Sequence, residues 1–128
     1  FCWVDLAATD AARAKAFYGQ LFGWSSDERP SQGGNFPHLR LAGRDIGSLY
    51  QLNRAHLERG VPSHWTPYIQ VANLDAAILR ALALGGEVAA WPFSVPNLAR
   101  VALILDSVGA PVGLWEPTAT DQGEEAND

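Results

Sequence analysis

Asp5-Leu-Ala-Ala-Thr-Asp-Ala-Ala-Arg-Ala-Lys-Ala-Phe-Tyr-Gly-Gln-Leu-Phe-Gly-Trp24 carries the end of a strand, a cap, a helix and a stop in twenty residues. Asp10 is a helix N-cap, because its short carboxylate reaches the free amides of a first turn. Ala11 to Phe22 follows with Ala14, Phe17, Tyr18 and Leu21 on one stripe. Gly23 ends the helix, since glycine takes the left-handed conformation that closes a C-terminus. Upstream, Cys2 to Ala7 alternates and reads as a strand.

The same order returns further along. Pro67 to Val71 reads as a strand, Asn73 as a cap and Leu74 to Leu84 as a helix, with Gly85-Gly86 as the stop. A shift of 63 residues lays Asp10 on Asn73 and Gly23 on Gly86. It also lays Trp3 on Thr66 and Ala14 on Ala77. Three short strands follow each helix. They are Trp24 to Asp27, Pro37 to Ala42 and Ile46 to Leu52, then Glu87 to Trp91, Arg100 to Leu105 and Val112 to Glu116. Turns at Gln32 to Asn35, Ala42 to Asp45 and Asp106 to Ala110 separate them. The predicted fold class is α+β, two βαβββ modules at 1–52 and 65–117 forming a cupped mixed sheet around a cleft. A connector, 53–64, holds one helical turn near Ala55 to Glu58. Neither half would bury much surface alone, so the two are expected to share a single domain over 1–117.

Composition narrows the function classes. Of 128 residues, 48% are hydrophobic and 18% charged, enough apolar surface for a folded core. The net charge is -5, but Asp121, Glu124, Glu125 and Asp128 supply most of it. Without those four, nine basic residues face ten acidic ones, which excludes the basic footprint of a nucleic-acid binder. Residues 118–128 lack hydrophobic periodicity and are expected to be a disordered acidic tail. No apolar run has membrane-span length and no signal segment opens the chain, so no membrane partner is expected. The single cysteine, Cys2, excludes an internal disulfide and suits a cytoplasmic location. Five tryptophans fit either a packed core or an aromatic ligand cavity.

Three stretches carry a resemblance: the first quoted segment, then Pro67-Tyr-Ile-Gln-Val-Ala-Asn-Leu-Asp-Ala-Ala with Leu84-Gly-Gly-Glu-Val88, and Asp106-Ser-Val-Gly-Ala-Pro-Val-Gly-Leu-Trp115. Together they resemble the glyoxalase/bleomycin-resistance/dioxygenase superfamily, also called vicinal oxygen chelate, over residues 1 to 117. The resemblance implies the paired βαβββ fold, often in a homodimer. It also implies metal ligands at four positions, which here fall on Trp3, Thr66, Gly113 and a place near Gly47. An indole, a hydroxyl and two glycines do not form the donor set of a divalent ion. The expectation is therefore no metal and no cofactor.

Alternation places Trp3 and Asp5 on one face of the first strand, with Thr66, Tyr68 and Gln70 alike in the second module. Cys2, Val4 and Leu6 are then expected under the helices, Cys2 as plain core. Asp5 fits either a general base in an aromatic cleft or a structural acid paired with an arginine. His38 and Arg40 share a face and suit an anionic or carbonyl group, a solvated strand face or contact with Asp5. Trp115 lines the cavity floor or packs the core, and Gly47 and Gly113 are expected to leave open volume. His64, beside Trp65, suits a rim or interface, and Trp91 with Phe93 suits a movable wall or dimer contact.

The expected ligand-binding set is Trp3, Asp5, His38, Arg40, Tyr68, Gln70 and Trp115. Asp5 and His38 are the catalytic candidates. The leading function is a metal-independent binder of a small aromatic or apolar molecule, antibiotic sequestration being one form. The alternatives are a lyase, isomerase or dioxygenase of the same superfamily acting on a small carbonyl or oxygenated substrate, and a regulatory module without a ligand.

Overall fold

The computed structural model describes residues 1–31 and 34–118, with side chains set aside between 27 and 37. Two expectations fall beyond it. The Gln32-Gly33 part of the turn expected over Gln32 to Asn35 and the acidic stretch 119–128 lie outside the described residues, while Gly34 and Asn35 lie in a strand instead. Thr118, expected to begin the tail, donates its amide to the Leu98 carbonyl.

The elements run β1 (Trp3–Ala8), α1 (Ala11–Phe22), β2 (Ser25–Ser31), β3 (Gly34–Leu41), β4 (Arg44–Gln51) and α2 (Arg54–Glu58). They continue with β5 (His64–Gln70), α3 (Leu74–Ala83), β6 (Glu87–Val95), β7 (Ala99–Leu105) and β8 (Pro111–Pro117). This is βαβββ twice with one short helix between, an α+β fold. The chain divides into two compact units, Trp3–Thr66 and Phe1–Cys2 with Pro67 onward.

In the first unit the strands lie in the order β2-β3-β4-β1. β1 runs parallel to β4, and β2, β3 and β4 are antiparallel neighbours. α1 is the crossover that a parallel pair requires. Asp10 caps α1 by accepting from the Arg13 amide, and Gly23 closes it at φ 75° with its N–H on Gly19 O. Leu6, Ala8, Leu39 and Leu49 form the core beneath α1, met by Ala14, Tyr18 and Trp24. The predicted helix stripe divides here. Ala14 and Tyr18 pack inward, whereas Phe17 and Leu21 stay 58% and 57% exposed. Four strands and one helix offer too little depth to cover both.

The second unit repeats the pattern with order β5-β8-β7-β6. β5 is parallel to β8, and β6, β7 and β8 are antiparallel. Leu74, Ile78, Ala102, Ile104 and Leu114 make its core. Asn73 caps α3 by accepting from the Ala76 amide, and Gly85 takes φ 94° after the helix. β6 runs four residues beyond the predicted Trp91. It lies at the sheet edge with two register shifts, where Pro92 deprives no ladder partner of a donor.

Cys2 corrects an expectation. It is exposed, not core. β1 starts only at Trp3, so Cys2 precedes the alternation that would have turned it inward. Its amide still donates to Tyr68 O, and partial burial raises the thiol pKa.

Candidate functional site

The face of the first sheet turned away from α1 gathers the chemistry of that unit. Register places Asp5 beside Ser48 and Ser48 beside His38, three strands abreast. Trp3 lies two residues before Asp5 on the same face. Its indole Nε1 donates to Asp5 Oδ1 at 3.1 Å and to Ser48 Oγ at 2.8 Å. The indole meets the His38 ring edge-on, centroids 5.4 Å apart. His38 is buried, and its Nδ1 lies 3.7 Å from Asp45. Arg40 Nε lies 3.6 Å from the same carboxylate, and its Nη2 donates to Gly43 O. A register shift between Leu39 and Arg40 brings Asp45 within reach of both.

His38 and Arg40 thus share a partner; His38 is buried, whereas Arg40 keeps part of its side chain in solvent. Tyr50 completes the row, paired with Ala7 and two residues from Ser48. Burial, and then the Asp5 carboxylate, raise its pKa above the ordinary value.

Ser48 and Tyr50 lie on this same face, and sequence reasoning passed them over. The signal was available. In Gly47-Ser48-Leu49-Tyr50-Gln51, Leu49 must face the core, which turns Ser48 and Tyr50 the other way.

In the second unit Tyr68 and Gln70 share the face away from α3, with Trp115 paired to Gln70. Tyr68 and Trp115 are buried and meet edge-on, centroids 6.2 Å apart. Gln70 is exposed. Two glycines correct an expectation here. A Cβ on Gly113 would lie 2.3 Å from the Tyr68 ring, and one on Gly47 would lie 2.3 Å from Val4 O. Neither leaves open volume: Tyr68 fills the first position, and backbone packing closes the second. Thr66 is buried.

The residues present do not fit a divalent metal. Among the described residues no three His, Cys, Asp or Glu side chains gather as ligands. Glu116, a carboxylate on the last strand, is directed elsewhere. Its Oε1 accepts from the Leu74 amide at 2.7 Å and its Oε2 lies 3.9 Å from Arg100. Arg100 also pairs with Asp75. His64, at the start of β5, donates from Nδ1 to Pro62 O. Trp91 and Phe93 are exposed on the edge strand. No helix among the described residues is long and apolar enough to cross a membrane.

A sheet of one parallel and two antiparallel pairings, covered by one helix and built twice, defines a glyoxalase-type α+β protein. A family model described as a glyoxalase-like domain matches residues 3–112, and the chain belongs to that family, within the vicinal oxygen chelate superfamily. It is similar to the protein named "Putative glyoxylase CFP32" of Mycobacterium tuberculosis, 36% identical over 116 residues, covering 89% of this chain and 44% of that one. It is also similar to the anthracycline biosynthesis protein DnrV of Streptomyces peucetius, 28% identical over 133 residues, covering 95% and 48%. The chain thus spans about half the length of the curated relatives it matches. Among solved structures it resembles methylmalonyl-CoA epimerase from Mycobacterium tuberculosis at TM-score 0.67 and 19% identity, covering 94% of this chain and 89% of that one, a likeness of fold.

Proposed function

We propose that the chain binds a small aromatic or apolar molecule without a metal, antibiotic sequestration being one form. The observation that carries this reading is Trp3. It stands where the resemblance implies a metal ligand, and its indole is fixed between Asp5 and Ser48. An aromatic wall with a few oriented polar groups suits a flat ligand. The proposed contacts are Trp3, Asp5 and Arg40 in the first unit, where the buried His38 sets shape, and Gln70 in the second, where the buried Tyr68 and Trp115 do. The relative named for anthracycline biosynthesis supports the ligand class, since an anthracycline carries a flat fused-ring system. A cytoplasmic homodimer is proposed with it, the exposed Trp91 and Phe93 being its contact.

A thermal-shift screen of planar aromatic compounds tests the reading, because a ligand of the folded state raises Tm by mass action. The expected result is a rise that chelator leaves unchanged and that Trp3→Ala abolishes. A flat response across the screen, or ligand binding that chelator removes, overturns it. Light scattering giving the mass of a single chain at micromolar concentration overturns the dimer.

A second reading, an enzyme of the same superfamily, is favoured by one observation: Tyr50 stands on the same face as Asp5, two residues from Asp5's partner Ser48, with its pKa raised by burial first and by the Asp5 carboxylate second. A coupled carboxylate and phenol can serve acid–base chemistry on a small carbonyl or oxygenated substrate. Turnover that Tyr50→Phe abolishes while ligand affinity persists would establish this alternative.

A further inference from the structure

The opposite face of the first unit holds a groove that the proposed function does not use. It runs between α1 and Ser63–Trp65, with a volume of about 480 Å3. Leu6 and Ala8 of β1 floor it, with Ala14 of α1 beside them. None of the three side chains offers a hydrogen bond. Ser63 lines it, its Oγ accepting from the Thr9 amide at 2.9 Å. Trp65 lines it too, edge-on to Tyr18 with centroids 5.4 Å apart.

The polar groups of the groove are unequal. The Thr9 amide is taken by Ser63, the Ala11 amide by Gln51 and the Arg13 amide by the Asp10 carboxylate. The Arg13 guanidinium, which lines the groove, forms no ion pair or side-chain hydrogen bond among the described residues. Phe17 and Trp65, also in the lining, are 58% and 37% exposed. Large aromatic faces left in water beside a cation that has no protein partner among the described residues match a ligand with a flat apolar body and one negative group. The volume falls within the range of small-molecule sites, about 300–1,000 Å3.

We propose that this groove is a second binding site, specific for a planar aromatic carboxylate. The ring system lies against Phe17 and Trp65 over the aliphatic floor, and the carboxylate pairs with Arg13. The Asp10 carboxylate also lines the groove and by itself would favour a cation, but its Oδ1 is held by the Arg13 amide in the helix cap, which leaves the Arg13 guanidinium as the recognition group.

Amide NMR shifts test the proposal with two probes, 2-naphthoate and its neutral counterpart 2-naphthamide. Saturable shifts at Thr9, Phe17 and Trp65 are expected for both, with 2-naphthoate binding about threefold to tenfold tighter, the range of an exposed to partly shielded charge pair. Arg13→Gln is expected to erase that difference, and Phe17→Ala to weaken both probes alike. Both substitutions lie on exposed helix positions, so the folded spectrum should persist. Shifts confined to Asp5 and Ser48 would overturn this proposal while supporting binding on the other face. Non-saturating shifts, or a carboxylate preference that survives Arg13→Gln, would overturn it too. So would concentration-dependent shifts at Thr9 and Trp65 without probe, which would assign the groove to a second copy of the chain.

Discussion

One indole N–H serves two acceptors at Trp3, and that sharing fixes the ring between Asp5 and Ser48. Trp3→Phe keeps the ring but removes the donor, so two partly buried oxygens lose their common partner. A loss of about 1–3 kcal/mol is expected, measurable by denaturant unfolding. Tyr50 offers a separate test. Burial raises its folded pKa first and Asp5 second, above the ordinary value of 10.0. A raised folded pKa means stability that is complete below the unfolded value and lost as pH rises through the folded one. The protein should therefore weaken on the alkaline side of pH 10, and Tyr50→Phe should flatten that limb. In Asp5→Asn the Tyr50 absorbance titration should move down towards 10 without reaching it, because burial remains. A titration unmoved by Asp5→Asn would show that the two groups do not communicate.

At the scale of elements, the β3–β4 hairpin turns on Ala42 at φ 53° and Gly43 at φ 79°. Both turn positions require positive φ, and alanine bears a steric cost there of about 1–2 kcal/mol. Ala42→Gly is expected to recover part of that cost and raise Tm by a few degrees; an unchanged Tm would mean the turn relaxes when strained. The two ladder glycines should behave in the opposite sense. Gly113→Ala drives a methyl into the Tyr68 ring and Gly47→Ala drives one into the Val4 carbonyl. Losses of about 1–3 kcal/mol are expected for the first, and more for the second, since a ladder backbone yields less than a ring. Helices were the most legible elements, because Asp10, Gly23 and Asn73 each carry a local conformational demand. Strand limits were less so. β5 begins at His64, three residues before the predicted Pro67, because its start depends on partners distant in sequence. The same non-local register hid the Asp5–Ser48–His38 row, although the parity of each strand was readable by itself. Gly113 was misread for a related reason: a missing side chain marks space only when no neighbour fills it, and Tyr68 does.

For the whole molecule, the donor arithmetic points one way. With Trp3, Thr66 and Gly113 in the implied ligand positions and Glu116 committed to α3, purified protein is expected to carry metal far below one equivalent by elemental analysis. Its Tm should be indifferent to chelator; a stoichiometric ion would overturn both expectations. The superfamily was legible because its caps and stops recur at a constant offset, whereas the ligand was not, since the sequence names contact types and leaves their spacing to the fold. The capping of α3 by Glu116 has a consequence for the order of biosynthesis. The amide of Leu74 waits for a carboxylate 42 residues downstream, and β5 likewise waits for β8 to supply its neighbour. While β6 and β7 are being added to the chain, Glu116 and β8 do not yet exist, so the Leu74 amide lacks its carboxylate and β5 lacks that strand beside it. The second core is therefore completed last of all, when Leu114 of β8 arrives to cover Leu74 and Ile78.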